Sequence, residues 1–106
     1  MNDDVCAIKI CGMLTQGEVH QALAAGADFV GFVGEGLTPP GCLTDVQIEA
    51  MTQPFSDRAP MTVLTPLCTV DGIVRQQSML RAGVLQLCHE HSVETLRELR
   101  ERLPGV

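Results

Sequence analysis

The sequence predicts an α/β protein in which four strand-then-helix units build one parallel sheet. Four short runs are apolar throughout, and each is followed by a segment whose apolar residues recur at helical spacing. Apolar strands that alternate with helices are typical of a parallel sheet covered by helices. The pattern leaves open whether the strands form a small open sheet or half of an eight-stranded barrel. With 106 residues, we expect one domain over 1–106.

The first unit combines an apolar strand over 5–10 with a helix whose start and end are both marked. Thr15 and Glu18 form a T-x-x-E capping box, which predicts that the helix begins there. Gly26 stands where a glycine commonly ends a helix. The second strand is expected directly afterwards, over 28–33.

The second unit continues with a loop over 34–41 that is rich in glycine and proline. Thr44 and Gln47 then make a second capping box. Ile48 and the residues that follow provide the apolar stripe of the predicted helix, which Pro54 ends.

The third and fourth units repeat the pattern. A strand over 61–65 precedes a helix from about Thr69 to Arg81, and Gly83 is expected to end that helix. A fourth strand over 84–87 precedes a helix that begins at Ser92. One face of this last helix carries Val93, Leu96, Leu99 and Leu103.

The composition excludes several classes of function. Seven basic and thirteen acidic residues give a net charge of −6, so we expect neither nucleic acid nor an anionic membrane as a partner. The chain has no Trp and no Tyr, which argues against a base-stacking platform. Five cysteines without a C-x-x-C pair fit reduced thiols in the cytoplasm better than a disulfide framework.

The most informative candidate site follows the first strand. Ligands of parallel sheets collect at the carboxyl ends of the strands, which is where Cys11 lies. Lys9 precedes it by two residues, so both side chains are expected on one face, about 7 Å apart. An ammonium there favours the thiolate, and Gly12 would let a substrate approach. Cys11 is therefore a candidate base or nucleophile, although cysteine is also a common buried residue and Lys9 could extend to solvent.

A second cluster, C-H-E-H, runs from Cys88 to His91 after the fourth strand. It offers metal-ligand residue types, but its spacing matches none of the strong zinc patterns. We therefore expect no metal.

Three motifs resemble those of the phosphoribosylanthranilate isomerase family of tryptophan biosynthesis. Lys9-Ile-Cys-Gly12 is similar to the K-I-C-G strand of that family. Ala25–Val33 is similar to its A-G-A-D-x-x-G-F-V strand, and Leu85–Leu87 to its later V-Q-L strand. The motifs lie at the family's separations, and the likeness covers nearly the whole chain from residue 7.

The resemblance implies the first half of a (βα)8 barrel about twice as long as this chain. It implies an isomerase that performs an Amadori rearrangement of a phosphorylated small molecule without a cofactor, with Cys11 as the base that removes the C2 proton. Substrate contacts are expected at the matching positions Lys9, Gly12, Gly41 and Cys88.

The chain departs from the family at two of these positions. Pro39-Pro40-Gly41 stands where the family has S-P-R, so Gly41 replaces the arginine that holds the anthranilate carboxylate. Cys88 stands where the family has a histidine. The family's acid aspartate and phosphate-binding loops belong to the second half of its barrel.

Two functions therefore stay open. One is an isomerase-like enzyme that works once the barrel is completed, and the other is an inactive half-barrel that binds a small ligand or serves as an assembly unit. A half-barrel exposes two strand edges and its inner face, on which we expect Ile8 or its neighbours and Phe32. A homodimer that pairs the first strand of each copy with the fourth strand of the other would close the barrel.

Overall fold

The computed structural model describes residues 6–37 and 41–106, in which four parallel strands alternate with four helices. The strands are β1 (Lys9–Ile10), β2 (Phe29–Val33), β3 (Met61–Thr65) and β4 (Val84–Leu87). The helices are α1 (Gln16–Ala24), α2 (Asp45–Thr52), α3 (Val70–Leu80) and α4 (Val93–Arg102). The sheet order is β1-β2-β3-β4, and the predicted α/β class is confirmed. No helix of the described ranges is long and apolar enough to span a bilayer.

One face of the sheet carries the hydrophobic core. Val30 pairs with Met61, and Phe32 pairs with Val63, so these four side chains share a face. They pack with buried residues of α1, α2 and α3 in one cluster. The sequential strand order places all of these helices on the same side, because right-handed crossovers to the next neighbour all return over one face.

The other face carries the residues that alternate with this core, and we call it the concave face. Lys9 on β1 donates a hydrogen bond to Gln86 on β4, across the two strands between them. Since side chains of a flat sheet stand perpendicular to it, this contact indicates that the sheet curves toward this face. The strand residues of the concave face are Lys9, Phe29, Gly31, Val33, Thr62, Leu64, Val84 and Gln86.

The expectation that Phe32 lies on the inner face is wrong. Phe32 is fully buried on the helix-covered face because it alternates with Gly31 and Val33. Ile8 is 54% exposed, but it lies beside the open edge of β1 and precedes the concave-face residue Lys9 by one position.

At the predicted starts of α1 and α2, a threonine side chain caps backbone amides of the first helical turn. Thr44 Oγ accepts from the Gln47 amide at 3.2 Å, and Gln47 Oε1 accepts from the Thr44 amide at 2.9 Å, so α2 has the full capping box. In α1, Thr15 Oγ accepts from the Glu18 amide. The reciprocal bond differs, because Glu18 Oε1 accepts from the Leu14 amide at 3.0 Å.

The two glycines predicted as helix ends have different roles. Gly26 has φ +101° and follows α1, as predicted. The prediction for Gly83 is wrong, since α3 ends at Leu80 and Arg81 takes the left-handed conformation with φ 50°. A Cβ at Gly83 would overlap the Arg58 carbonyl oxygen and lie 2.7 Å from that of Ala59. Gly83 is therefore required by the close approach of the 58–59 backbone.

Arg58 joins the ends of two helices on the side of the sheet away from the strand carboxyl ends. Its Nη1 donates to the Thr52 carbonyl at 2.7 Å, Nε donates to the Arg81 carbonyl at 3.2 Å, and Nη2 donates to that of Leu80. Burial, followed by the Arg81 guanidinium, lowers the pKa of Arg58. The guanidinium thus satisfies carbonyls at the carboxyl-terminal ends of α2 and α3, where a positive charge is favourable.

β1 is shorter than predicted, and the apolar face of α4 is partly exposed. β1 is confined to Lys9–Ile10 of the predicted 5–10, with residues 1–5 outside the described part of the chain. On the predicted apolar stripe of α4, Leu99 is buried, whereas Val93 is 57% and Leu96 45% exposed. α4 packs against α3 on one side and borders the open edge of β4 on the other.

Candidate active site

Cys11 lies at the carboxyl end of β1 with its thiol against Gly31 of β2. A Cβ built at Gly31 would lie 2.7 Å from Cys11 Sγ. Lys9 pairs with Phe29, two residues before Gly31, so Lys9 and the thiol both lie on the concave face. Cys11 is solvent-exposed, which leaves its sulfur accessible to a ligand on this face.

Lys9 is the only lysine of the chain, and the amide of Gln86 holds its ammonium group. The sequence indicates Lys9 as a partner of Cys11 and does not identify Gln86. One signal was available, since Gln86 is the polar residue of the otherwise apolar strand V-L-Q-L. Both side chains are exposed on the open concave face, so this contact positions the cation and adds little stability.

Gly12 and Gly41 both adopt conformations that favour glycine. Gly12 has φ +80° and nothing within 4 Å of a Cβ at that position. Gly41 has φ +90°, and its Cβ would lie 3.3 Å from Leu14 Cδ2. The loop after β2 thus returns beside the loop that follows Cys11. Pro39 and Pro40 lie outside the described residues.

Cys88 follows β4 at the same edge of the sheet. Its amide donates to the Thr65 carbonyl at 3.0 Å, and its exposed thiol donates to the Gln86 carbonyl at 3.6 Å. The His89 and His91 rings lie 6.1 Å apart. Across the described residues, no group of three or more His, Cys, Asp or Glu side chains is arranged to hold a metal ion.

Two further residues of the concave face were missed by the sequence analysis. Gly31 gives the Cys11 thiol its space. The hydroxyl of Thr62 is buried and has no hydrogen-bond partner among the described residues. Thr62 does not stand out in the sequence, because it lies inside an apolar strand, whereas Gly31 is the glycine before Phe-Val in the motif at Ala25–Val33.

This arrangement can supply a base and a cation. The Cys11 thiolate can accept a proton from a carbon acid, and the Lys9 ammonium can stabilise negative charge. None of the strand residues that the structure places on the concave face is a carboxylic acid. A reaction that also needs a carboxylic general acid requires that acid from elsewhere.

Comparison with known sequences identifies relatives of one kind. No protein-family model matches the chain. It is 37% identical over 95 residues to the N-(5'-phosphoribosyl)anthranilate isomerase of Rhodopseudomonas palustris, covering 89% of this chain and 43% of that protein. It is 33% identical over 100 residues to the isomerase of Methanothrix thermoacetophila, covering 92% of this chain and 47% of that protein. The chain thus spans a little under half the length of these curated relatives.

Solved structures show the same fold. The monomeric form generated from the dimeric phosphoribosylanthranilate isomerase of Thermotoga maritima matches with a TM-score of 0.78 at 21% identity, over 92% of this chain and 50% of that one. A phosphoribosylanthranilate isomerase in complex with reduced 1-(o-carboxyphenylamino)-1-deoxyribulose 5-phosphate matches with a TM-score of 0.79 at 21% identity, with the same coverage. The alternative of an independent small open sheet is therefore set aside. By sequence and by fold, the chain is similar to phosphoribosylanthranilate isomerases and corresponds to about half of their (βα)8 barrel.

Proposed function

We propose that the chain supplies the base-bearing half of a phosphoribosylanthranilate isomerase, with Cys11 as the catalytic base. The position of the Cys11 thiol carries the proposal: it is exposed on the concave face, at the carboxyl ends of the strands. Lys9 lies on the same face. In parallel barrels this end of the sheet is where catalytic groups act.

The proposed reaction moves a proton within a phosphoribosyl amine. A general acid protonates the ring oxygen, which opens the ribose and leaves an iminium. The Cys11 thiolate then takes the C2 proton, and the electron pair of that C–H bond moves to form the enol, which becomes the ketone of the 1-amino-1-deoxyribulose phosphate. The described strands carry the base, and we assign the acid and the phosphate-binding loops to the half of the barrel that this chain does not match in its relatives.

We further propose that, where that acid-bearing half is absent, a second copy of the chain closes the barrel in its place. β1 and β4 are the two outer strands of the sheet, and each has one neighbour. Apolar side chains are exposed beside β1, where Ile8 is 54% and Ile10 39% exposed. Beside β4, a groove of about 570 Å³ lies between the strand and α4. It is lined by apolar side chains that include Leu85, Leu87, Val93, Leu96 and Leu103.

A two-fold axis would pair β1 of each copy with β4 of the other. Eight parallel strands then leave no open edge, and both apolar strips are covered. Such burial contributes about 25 cal/mol per Å² of apolar surface, so several hundred Å² of covered surface contributes on the order of 10 kcal/mol toward association. Because both concave faces then line one barrel, the proposed site is incomplete in a lone copy.

We propose a cytoplasmic location. The exposed thiols of Cys6, Cys11, Cys68 and Cys88 support it, because accessible reduced cysteines are typical of reducing compartments.

Turnover of phosphoribosylanthranilate tests the enzymatic proposal. We expect the chain to form the aminoketose product once an acid-bearing half completes its barrel, measured by chromatographic separation of the two isomers. Cys11→Ala should lower kcat by about 10²–10⁴-fold, the usual contribution of a positioned base. The matched control Cys68→Ala removes another exposed thiol and should retain activity. An assembled protein that binds the substrate without converting it would instead support the inactive half-barrel.

Substitution at Gly41 tests the match to the family's arginine. Gly41→Arg should tighten binding of anthranilate about ten- to hundredfold, since a charged hydrogen bond contributes about 1.5–3 kcal/mol. The positive φ of Gly41 costs any side chain about 1–2 kcal/mol of stability. Gly41→Ala carries the same backbone strain without the guanidinium and is the control. Equal anthranilate affinity of the two variants, measured by titration calorimetry, would show that position 41 does not face the carboxylate.

The mass of the assembly tests the proposed dimer. Sedimentation equilibrium at micromolar concentration should give twice the chain mass of 11.4 kDa. Leu96→Glu places a charge in the groove beside β4 and should shift the equilibrium to monomer. Val46→Glu is a matched control, because Val46 is 66% exposed on α2, away from both outer strands. A well-folded monomer, or equal dissociation by both variants, would contradict the pairing.

A further inference from the structure

Gly31 occupies a position where backbone conformation does not require glycine. It lies inside β2 and is buried, and it is absent from the glycines with positive φ among the described residues. Glycine inside a strand weakens it, because it adds backbone entropy to the unfolded chain and offers no side chain for packing. The reason for glycine at this position must therefore lie in the space around it.

That space is occupied by Cys11. A Cβ at position 31 would lie 2.7 Å from Cys11 Sγ and 3.3 Å from Cys11 Cα. On its other side, Leu64 Cδ1 would be 3.3 Å away. A methyl group at position 31 would therefore meet the thiol on one side and the neighbouring strand on the other.

The cysteine backbone cannot retreat easily from this contact. The Met13 amide, two residues after Cys11, donates to the Gly31 carbonyl at 3.1 Å. This bond ties the loop that follows β1 to β2 at the residue in question. The thiol has one free torsion, χ1, so a side chain at 31 would turn Sγ away from the concave face or leave it strained.

We infer that Gly31 is a positioning residue, whose missing side chain leaves the place on the concave face in which the Cys11 thiol lies. Gly31 thus contributes to the proposed isomerase site indirectly, through the position of the Cys11 thiol. Only the expected effect on turnover rests on the proposed function. The geometric claim holds for any chemistry that the thiol performs.

The experiment combines stability with thiol reactivity. Gly31→Ala should slow alkylation of Cys11 by iodoacetamide at least about threefold, because the thiol leaves the solvent-open face. Cys68, labelled in the same molecule and quantified by peptide mapping, provides the internal reference. Gly17→Ala is the control variant, since a Cβ there meets only the Thr15 hydroxyl oxygen, at 3.7 Å.

A double-mutant cycle separates a positioning role from a merely structural one. Urea unfolding of Gly31→Ala, Cys11→Ala and the double variant should show that removing Sγ relieves most of the cost of the alanine. If Gly31→Ala fails to fold, refolding in the Cys11→Ala background gives the same answer. Additive effects together with an unchanged Cys11 alkylation rate would overturn the inference, as would a double variant that fails to fold.

The effect of Gly31→Ala on catalysis is measured in a separate assay. In the turnover assay, Gly31→Ala should lower kcat while the affinity for anthranilate stays within about twofold, because the variant moves the base and leaves the other residues of the concave face in place. Alkylation and unfolding need no turnover. A chain that lacks isomerase activity but shows the coupling would therefore refute the proposed function and leave the positioning role standing.

Discussion

The parallel pairing of four short strands in sequence order is the constraint on which the rest of this structure depends. Each crossover leads to the next neighbour with the same hand, so the helices that carry the core all cover one face. The other face is left to the alternate strand residues. Burial of Phe32 and placement of the Cys11 thiol are thus two results of the same register.

The curvature of the sheet brings polar side chains of distant strands together on the concave face. Lys9 and Gln86 are 77 positions apart in sequence, and they meet because the sheet bends toward that face. The thiol of Cys11 lies in the space above Gly31. The strand order leaves β1 and β4 as outer strands with one neighbour each. The half-barrel therefore carries a partly formed site on its concave face and one unpaired strand edge on each side.

Local signals in the sequence predicted the elements well, because their causes are local. The bounds of β3 and β4 match the predicted 61–65 and 84–87, and the capping box at Thr44 forms in full. The reason for Gly83 was missed because it lies in the backbone of residues 58–59, which a one-dimensional pattern does not bring near. The predicted apolar face of α4 is partly exposed, and a helix pattern does not reveal how many neighbours the helix has.

The sequence predicts the residues of the candidate site that belong to a motif at the end of a strand. It does not predict the residues whose roles depend on contacts between strands. Cys11, Lys9 and Gly12 follow from a K-I-C-G strand at the carboxyl edge of a parallel sheet. Gln86 and Gly31 act through contacts with neighbouring strands, so the three-dimensional register is needed to identify them. Their roles also differ in kind, since Gln86 adds a hydrogen bond and Gly31 contributes empty space.

The central claim is that the concave face becomes a closed site when β1 of one copy meets β4 of another. Isotope-filtered nuclear Overhauser measurements on a mixture of labelled and unlabelled chains test it most directly. Ile8 and Ile10 lie beside one outer strand, and Leu85 and Leu87 lie on the other. We expect contacts between the methyl groups of Ile8 or Ile10 in one copy and those of Leu85 or Leu87 in the other copy. Their absence in a folded protein, with contacts only within one chain, would contradict it.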